Sequence, residues 1–223
     1  EYQVGEALGD SLQAIDDGFM YRTGDNTPSI VFHELRPDGS TRDVSVAGCL
    51  VTTFNVACLP HPQGHPPLSC AGAIPTSAVL AADGNIWYTD SQNSAIGRIS
   101  PDGRCRTFSH GLTRWHGGPQ YLTVGPNRTL WFTEVRDRIG AVTLDGRIRE
   151  YSAGIPQRSS IGGIVAAPDG NVWFTLYRGN ELALMQAGKR IERFRKGIYP
   201  STGSDYGPDS VPSFDRRGRI IFN

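Results

Sequence analysis

The run Pro168-Asp169-Gly170-Asn171-Val172-Trp173-Phe174-Thr175-Leu176 is met three times in this chain. Its counterparts are Pro126-Asn127-Arg128-Thr129-Leu130-Trp131-Phe132-Thr133-Glu134 and Ala82-Asp83-Gly84-Asn85-Ile86-Trp87-Tyr88-Thr89-Asp90. The tryptophans stand 44 and then 42 residues apart. Weaker copies lie near the start, Asp17-Gly18-Phe19-Met20-Tyr21-Arg22-Thr23, and at the end, Arg217-Gly218-Arg219-Ile220-Ile221-Phe222-Asn223. A fixed period of this size marks a repeat architecture, and five copies predict five repeated units.

Each unit also has an internal order. After the Trp strand comes a short alternating strand, Ile96-Gly97-Arg98-Ile99 or Ile139-Gly140-Ala141-Val142. A turn follows, Pro101-Asp102-Gly103 or Leu144-Asp145-Gly146, where Asp and Gly meet the hydrogen-bond and φ demands of the bend. The next strand, Arg147-Ile148-Arg149-Glu150-Tyr151, reads as charged on one face and apolar on the other. Ahead of the Trp strand runs a strand of small residues, Gly163-Ile164-Val165-Ala166-Ala167, suited to a crowded innermost position. Four short antiparallel strands in each period of about 40 to 45 residues predict an all-β, five-bladed β-propeller. Stacked blades bury one another's faces, with Trp87, Trp131 and Trp173 as fillers between them. Glu1-Tyr2 aligns with Glu150-Tyr151, so the N-terminal segment is expected to complete the last blade and close the ring.

The whole chain, residues 1–223, reads as one domain. Its 22 Lys and Arg balance 22 Asp and Glu, which argues against nucleic acid or an anionic membrane as partner. No apolar run approaches the roughly 18 residues a membrane-spanning helix needs. The phosphate-binding Gly-Lys-Ser/Thr loop, the Gly-x-Ser-x-Gly elbow and the His-Glu-x-x-His pair are all missing. Between the first and second Trp-type strands the spacing exceeds one period. The excess, residues 47–75, holds Cys49, Cys58 and Cys70, with His61 and His65 in a Pro-rich run. With Cys105 the cysteines number four and include no C-x₂-C metal pair, so two disulfides in an exported protein are expected, secreted or periplasmic. The insertion then becomes a disulfide-pinned loop; the alternative for Cys105 is a small buried apolar group.

The order Pro-Asp-Gly-Asn-Val-Trp-Phe-Thr, then Ile-Gly-Arg-Ile-Ser-Pro-Asp-Gly, then a strand ending Glu-Tyr, resembles the streptogramin lyase (virginiamycin B lyase) family of propellers. Residues 82–108, 126–151 and 168–194 carry the resemblance. It implies the propeller fold and, for members that act as lyases, a seven-bladed ring that opens a cyclic depsipeptide by elimination at its ester. Such members use magnesium, two histidines and carboxylates. For this chain the resemblance implies that role for the carboxylates after the Trp strands, Glu134 and Asp90. Where the family carries its histidines, ahead of the innermost strand, this chain has Thr76, Gln120, Gly162 and Ser210.

In a propeller the loops entering the innermost strands and those leaving the Trp strands gather at one mouth of the channel, the default binding site. One such loop is Thr113-Arg114-Trp115-His116-Gly117-Gly118-Pro119-Gln120-Tyr121. His116 is the expected general base, with Glu134 as its catalytic partner. Trp115, Gln120, Tyr121, Arg136, Tyr177, Arg178 and Tyr206 are the expected substrate contacts, the arginines suited to a carboxylate or carbonyl. Asp90, Glu134, Asp205 and Asp209 are expected to hold a divalent cation, magnesium or calcium, through oxygen. The expected function is proton abstraction and elimination or rearrangement on a small-molecule or peptide ligand, by a monomer. The alternative is a non-catalytic binding propeller for a carbohydrate, peptide or protein.

Overall fold

The computed structural model describes residues 13–15, 18–23, 31–36, 38–45, 75–91, 93–102, 104–113, 117–186, 190–195, 211–214 and 218–221. Four antiparallel four-stranded sheets follow one another in chain order. The first is β1 (Gln13–Ile15), β2 (Gly18–Thr23), β3 (Val31–Leu35) and β4 (Thr41–Ser45). The second is β5 (Pro75–Leu80), β6 (Ile86–Asp90), β7 (Ala95–Ile99) and β8 (Cys105–Phe108). The third is β9 (Pro119–Gly125), β10 (Thr129–Glu134), β11 (Arg138–Thr143) and β12 (Ile148–Tyr151). The fourth is β13 (Ile161–Ala166), β14 (Val172–Leu176), β15 (Glu181–Gln186) and β16 (Arg190–Phe194). A two-stranded pair, β17 (Ser213–Phe214) and β18 (Ile220–Ile221), ends the described chain. Every strand pairs with its sequence neighbour, so each sheet is a meander, and β9 packs between β5 and β13.

The repeated turns show why these segments fold alike. The Asp83 carboxylate accepts the Asn85 N–H at 3.1 Å, and Asp169 accepts that of Asn171 at 2.9 Å. The glycine between each pair takes a left-handed φ, +74° at Gly84 and +89° at Gly170, which a Cβ would strain. Alternation then divides each Trp strand between two interfaces. Leu130 and Phe132 join Trp87, Ile96 and Phe108 in a core between the second and third sheets. Trp131, on the other face, joins Ile164, Val172 and Phe174 in a core between the third and fourth. Trp87 and Trp131 therefore lie between sheets, as the sequence pattern predicts, while Trp173 is partly buried and belongs to neither core.

Each tryptophan ring also meets an aromatic on the outermost strand of its own sheet. Trp87 stacks on Phe108 at 5.3 Å between centroids, while Trp131 meets Tyr151 and Trp173 meets Phe194 in tilted pairs, each at 5.6 Å. Hydroxyls of β5 and β6 stitch the second sheet to β9. Thr89 Oγ1 donates to the Gln120 carbonyl at 2.6 Å, and the Leu122 N–H donates to Ser77 Oγ at 3.1 Å. Thr89, of the first of these Trp-aromatic-Thr runs, is thus a link between sheets, whereas Thr133 accepts the Tyr121 N–H within its own sheet.

Gly140 lies under the Phe132 ring so closely that an added Cβ would fall 1.9 Å from Cζ. Ala183 fills the equivalent place opposite Phe174, so the fourth sheet has made room for a methyl that the third has not. Gly140→Ala should lower stability by about 1–3 kcal/mol, the usual cost of overpacking, measured by urea denaturation.

Cys105 is exposed and disulfide-bonded, so the alternative of a buried apolar group does not hold. One sequence expectation is corrected. Glu150 does not share an outward charged face with Arg149: it lies on the face of buried Ile148, because residues two apart on a strand point the same way. Residues 1–12, expected to complete the last blade, and 46–74, which make up most of the insertion, lie outside the described residues.

Candidate functional site

One end of the sheets, where the mouth is expected, carries the connectors entering β9 and β13 and the turns leaving β6, β10 and β14. Trp115 and His116, with Asp205, Tyr206 and Asp209, lie outside the described residues. The flanks of the His116 loop are described, and both are anchored. On one side, the Thr113 N–H donates to Glu150 Oε1, and its hydroxyl donates to Glu150 Oε2 at 2.5 Å. Arg138 Nη1 donates to the same Glu150 oxygen at 2.8 Å and to Thr113 Oγ1 at 3.0 Å. On the other side, the Val135 N–H donates to the Gly118 carbonyl at 3.4 Å. Gly118 presses on the turn after β6, where a Cβ would meet the Ser91 carbonyl oxygen at 2.2 Å.

Glu134 joins the first anchor. It is 1% exposed at the end of β10, and its carboxyl is pushed up to about 8, first by burial and then by the Glu150 carboxylate. Arg138 opposes that rise. Glu134 Oε2 has no donor among the described residues. A proton on Glu134 resolves the contact between the two carboxyls, because the neutral acid donates where two carboxylates would repel. At neutral pH this side chain is a buried acid, not an anion.

Asp90 occupies the corresponding place at the end of β6 and is also buried, at 3% exposed. Its two oxygens accept the Asn93 N–H at 3.1 Å and the Asn93 side-chain amide at 2.8 Å. Beside it burial, then the Asp90 charge, pushes the Tyr88 hydroxyl up to about 12. Asp90 and Glu134 therefore each serve a network within their own sheets. A shared divalent cation does not fit these two: Asp90 faces N–H donors, and the Arg138 guanidinium stands by the Glu134–Glu150 pair. Among the described residues no three His, Cys, Asp or Glu side chains group as metal ligands.

The remaining candidates spread along the rim. Gln120 and Tyr121 open β9; the Gln120 carbonyl takes the Thr89 hydroxyl, and Tyr121 packs against the core between the third and fourth sheets. Arg136 is exposed in the turn after β10. Tyr177 and Arg178 form the short 3₁₀ turn after β14, with Arg178 exposed. Their N–H groups donate to the Ser160 and Ser159 carbonyls, each at 2.9 Å.

Sequence reasoning missed Thr113, Arg138 and Glu150. The signal was present for two of them: in β11 and β12 the residues that pair across the sheet bring Arg138 and Glu150 onto the face that also carries Glu134. The fourth sheet repeats the ion pair with its signs exchanged, Glu181 on β15 bonded to Arg193 on β16 at 3.4 Å and to Arg195. At that corner the fourth sheet has Leu176 opposite Glu181 where the third has Glu134 opposite Arg138.

Known proteins share this architecture. A virginiamycin B lyase of Nocardia farcinica is 34% identical over 113 residues, which are 50% of this chain and 39% of that protein. A streptogramin B lyase structure superposes on 99% of this chain and 63% of its own, with a TM-score of 0.67 at 22% identity. The virginiamycin B lyase structure from Staphylococcus aureus matches 95% of this chain and 62% of its own, with a TM-score of 0.64 at 24% identity. A periplasmic gluconolactonase of Pseudomonas aeruginosa has the same fold at 16% identity and a TM-score of 0.59. The chain thus spans less than two thirds of the length of these relatives. The model of the virginiamycin B lyase family matches residues 56–202, more than half of the sequence, and the chain belongs to that family.

Proposed function

We propose that this chain is an exported lyase-like enzyme that takes a small molecule or peptide at the mouth and cleaves it by elimination. The observation that carries this reading is the family match across the sheets that hold the Trp87, Trp131 and Trp173 repeats, joined to a His116 loop fixed at both flanks on the mouth face. In the proposed reaction His116 takes a proton from the carbon beside a carbonyl, that electron pair forms the new C=C bond, and the leaving oxygen departs with the electrons of the bond it breaks. Glu134, enclosed beside Glu150, supports the loop through Thr113 rather than reaching the ligand itself. Trp115, Gln120, Tyr121, Arg136, Tyr177, Arg178 and Tyr206 are the proposed ligand contacts, and Asp205 with Asp209 the proposed oxygen ligands of a magnesium or calcium ion. The disulfide at Cys105 supports export to an oxidising compartment. The proposed ring has five blades, with β17 and β18 as the inner strands of the fifth and the N-terminal segment outside them, and the proposed state is a monomer.

His116→Ala should reduce ring-opening of a cyclic depsipeptide by about 10²- to 10⁴-fold, read by mass spectrometry of the linear product. Unchanged turnover removes the assignment. A non-catalytic binding propeller is the second reading. It is favoured by Asp90 and Glu134, whose carboxyls are spent on internal bonds. Ligand retention without any product, in the wild type as in His116→Ala, selects it.

A further inference from the structure

Three arginines stand on adjoining segments at one end of the third and fourth sheets, and we infer that they form a binding site for an oxyanion, the carboxylate or phosphate of a small ligand. Arg136 lies in the turn from β10 to β11, Arg158 in the connector from β12 to β13, and Arg178 in the 3₁₀ turn after β14. The sequence places them in two neighbouring sheets and the connector between these, but hydrogen bonds from the Asp137 carboxylate and the backbone hold the segments as one frame. Asp137, beside Arg136, accepts the Arg158 N–H, and also the Ser159 N–H at 2.8 Å and the Ser159 hydroxyl at 2.9 Å. The Ser159 carbonyl in turn accepts the Arg178 N–H at 2.9 Å.

The frame is held in an unfavourable backbone conformation. Arg158 and Ser160 have φ of +62° and +51°, in the left-handed region that non-glycine residues avoid. Asp137, at φ +57°, is the carboxylate of this frame, and its two oxygens are occupied by N–H and O–H donors. It leaves an excess of positive charge on a chain whose formal net charge is zero.

All three guanidinium groups are exposed, and none has an ion pair or side-chain hydrogen bond among the described residues. Most described arginines elsewhere are engaged. Arg104 and Arg147 pair with the aspartate of their own turn, Arg138, Arg193 and Arg195 with buried glutamates, and Arg98 and Arg106 lie over aromatic rings. Arg128 and Arg149 are also exposed and unpaired, but each stands alone, Arg128 at the far end of β10 and Arg149 on the outermost strand. Three cations without an ion pair thus share one frame, and the guanidinium fork matches the paired oxygens of a carboxylate or phosphate. The inference rests on the mouth as the ligand face, and not on any catalysis there.

The experiment titrates the full chain at low ionic strength with inorganic phosphate and, separately, with succinate, by isothermal calorimetry. Saturable binding of at least one is expected. The triple variant Arg136→Gln, Arg158→Gln, Arg178→Gln should bind at least tenfold more weakly, in line with loss of charge-assisted hydrogen bonds. The double variant Arg128→Gln, Arg149→Gln should bind as the wild type does. The preferred probe assigns the oxyanion. No saturable binding of either probe, undiminished binding by the triple variant, or an equal loss in the double variant overturns the site. Because the readout involves no turnover, it fails or succeeds independently of the His116 assignment.

Discussion

Trp87→Ala is expected to cost about 3–5 kcal/mol of folding stability, the range for removing a large buried aromatic. The ring is fully buried, stacks on Phe108, and has the Arg98 guanidinium 5.6 Å from its centroid. On its far side it packs with Leu122, Leu130 and Phe132 of the next sheet. Its loss opens a cavity at the joint between two sheets, and neither sheet can close it without breaking the hydroxyl links between Thr89 and β9. Trp173→Ala is the matched control. Trp173 is only partly buried, and its partner Phe194 is 40% exposed, whereas Phe108 is 9% exposed. Transfer of less apolar area should limit its cost to about 1–2 kcal/mol. Urea denaturation of the two variants checks the order. Equal losses would mean that the outer face of the fourth sheet is as well covered as that of the second.

The same contrast explains how far the sequence could be read. Repeated Trp-aromatic-Thr runs are governed by strand alternation and by Asp-Gly turns, both local, so the sheets and their faces followed from residues such as Asp83, Gly84 and Trp87. The aromatic on each outermost strand was legible as Phe108 or Tyr151 but not as a partner of the tryptophan, because that contact spans the width of the sheet. The site was less legible for a related reason. Asp90 and Glu134 looked alike in the repeat, one residue after the same Thr, yet their neighbours differ. Asp90 has Asn93 in its own turn, while Glu134 meets Glu150, which lies two strands away. The inverted ion pair of the fourth sheet shows the same limit: Glu181 and Arg193 occupy the places of Arg138 and Glu150, so charge type alone does not reveal the pairing. Arg158 drew no notice because its link to Arg136 and Arg178 is made by Asp137 and Ser159 across connectors.

Glu134→Gln should stabilise the chain in alkaline solution and leave it nearly unchanged in acid. In the folded chain Glu134 keeps its proton up to about pH 8, whereas the unfolded chain releases it near the ordinary value of 4.5. Between those values the folded state binds more protons than the unfolded state, so stability falls as pH rises, and it levels off above pH 8. The slope for one proton is at most about 1.4 kcal/mol per pH unit, and relaxation around the site should reduce the total to about 2 kcal/mol. Glutamine has the same shape and an N–H₂ that donates to Glu150 as the protonated acid does, but it cannot ionise. The wild type and the variant should therefore match near pH 4, diverge progressively between about pH 4.5 and 8, and keep a constant gap above that, with the variant ahead. Thermal denaturation across that range measures the divergence. Parallel curves would show that Glu134 carries its charge in the folded state and that Arg138, rather than a proton, keeps it beside Glu150. Should the curves diverge as expected, the anchor of Thr113 and of the loop that follows it depends on an acid that is neutral at physiological pH, and Glu134→Asp, which withdraws the carboxyl from Glu150, should lose what Glu134→Gln keeps.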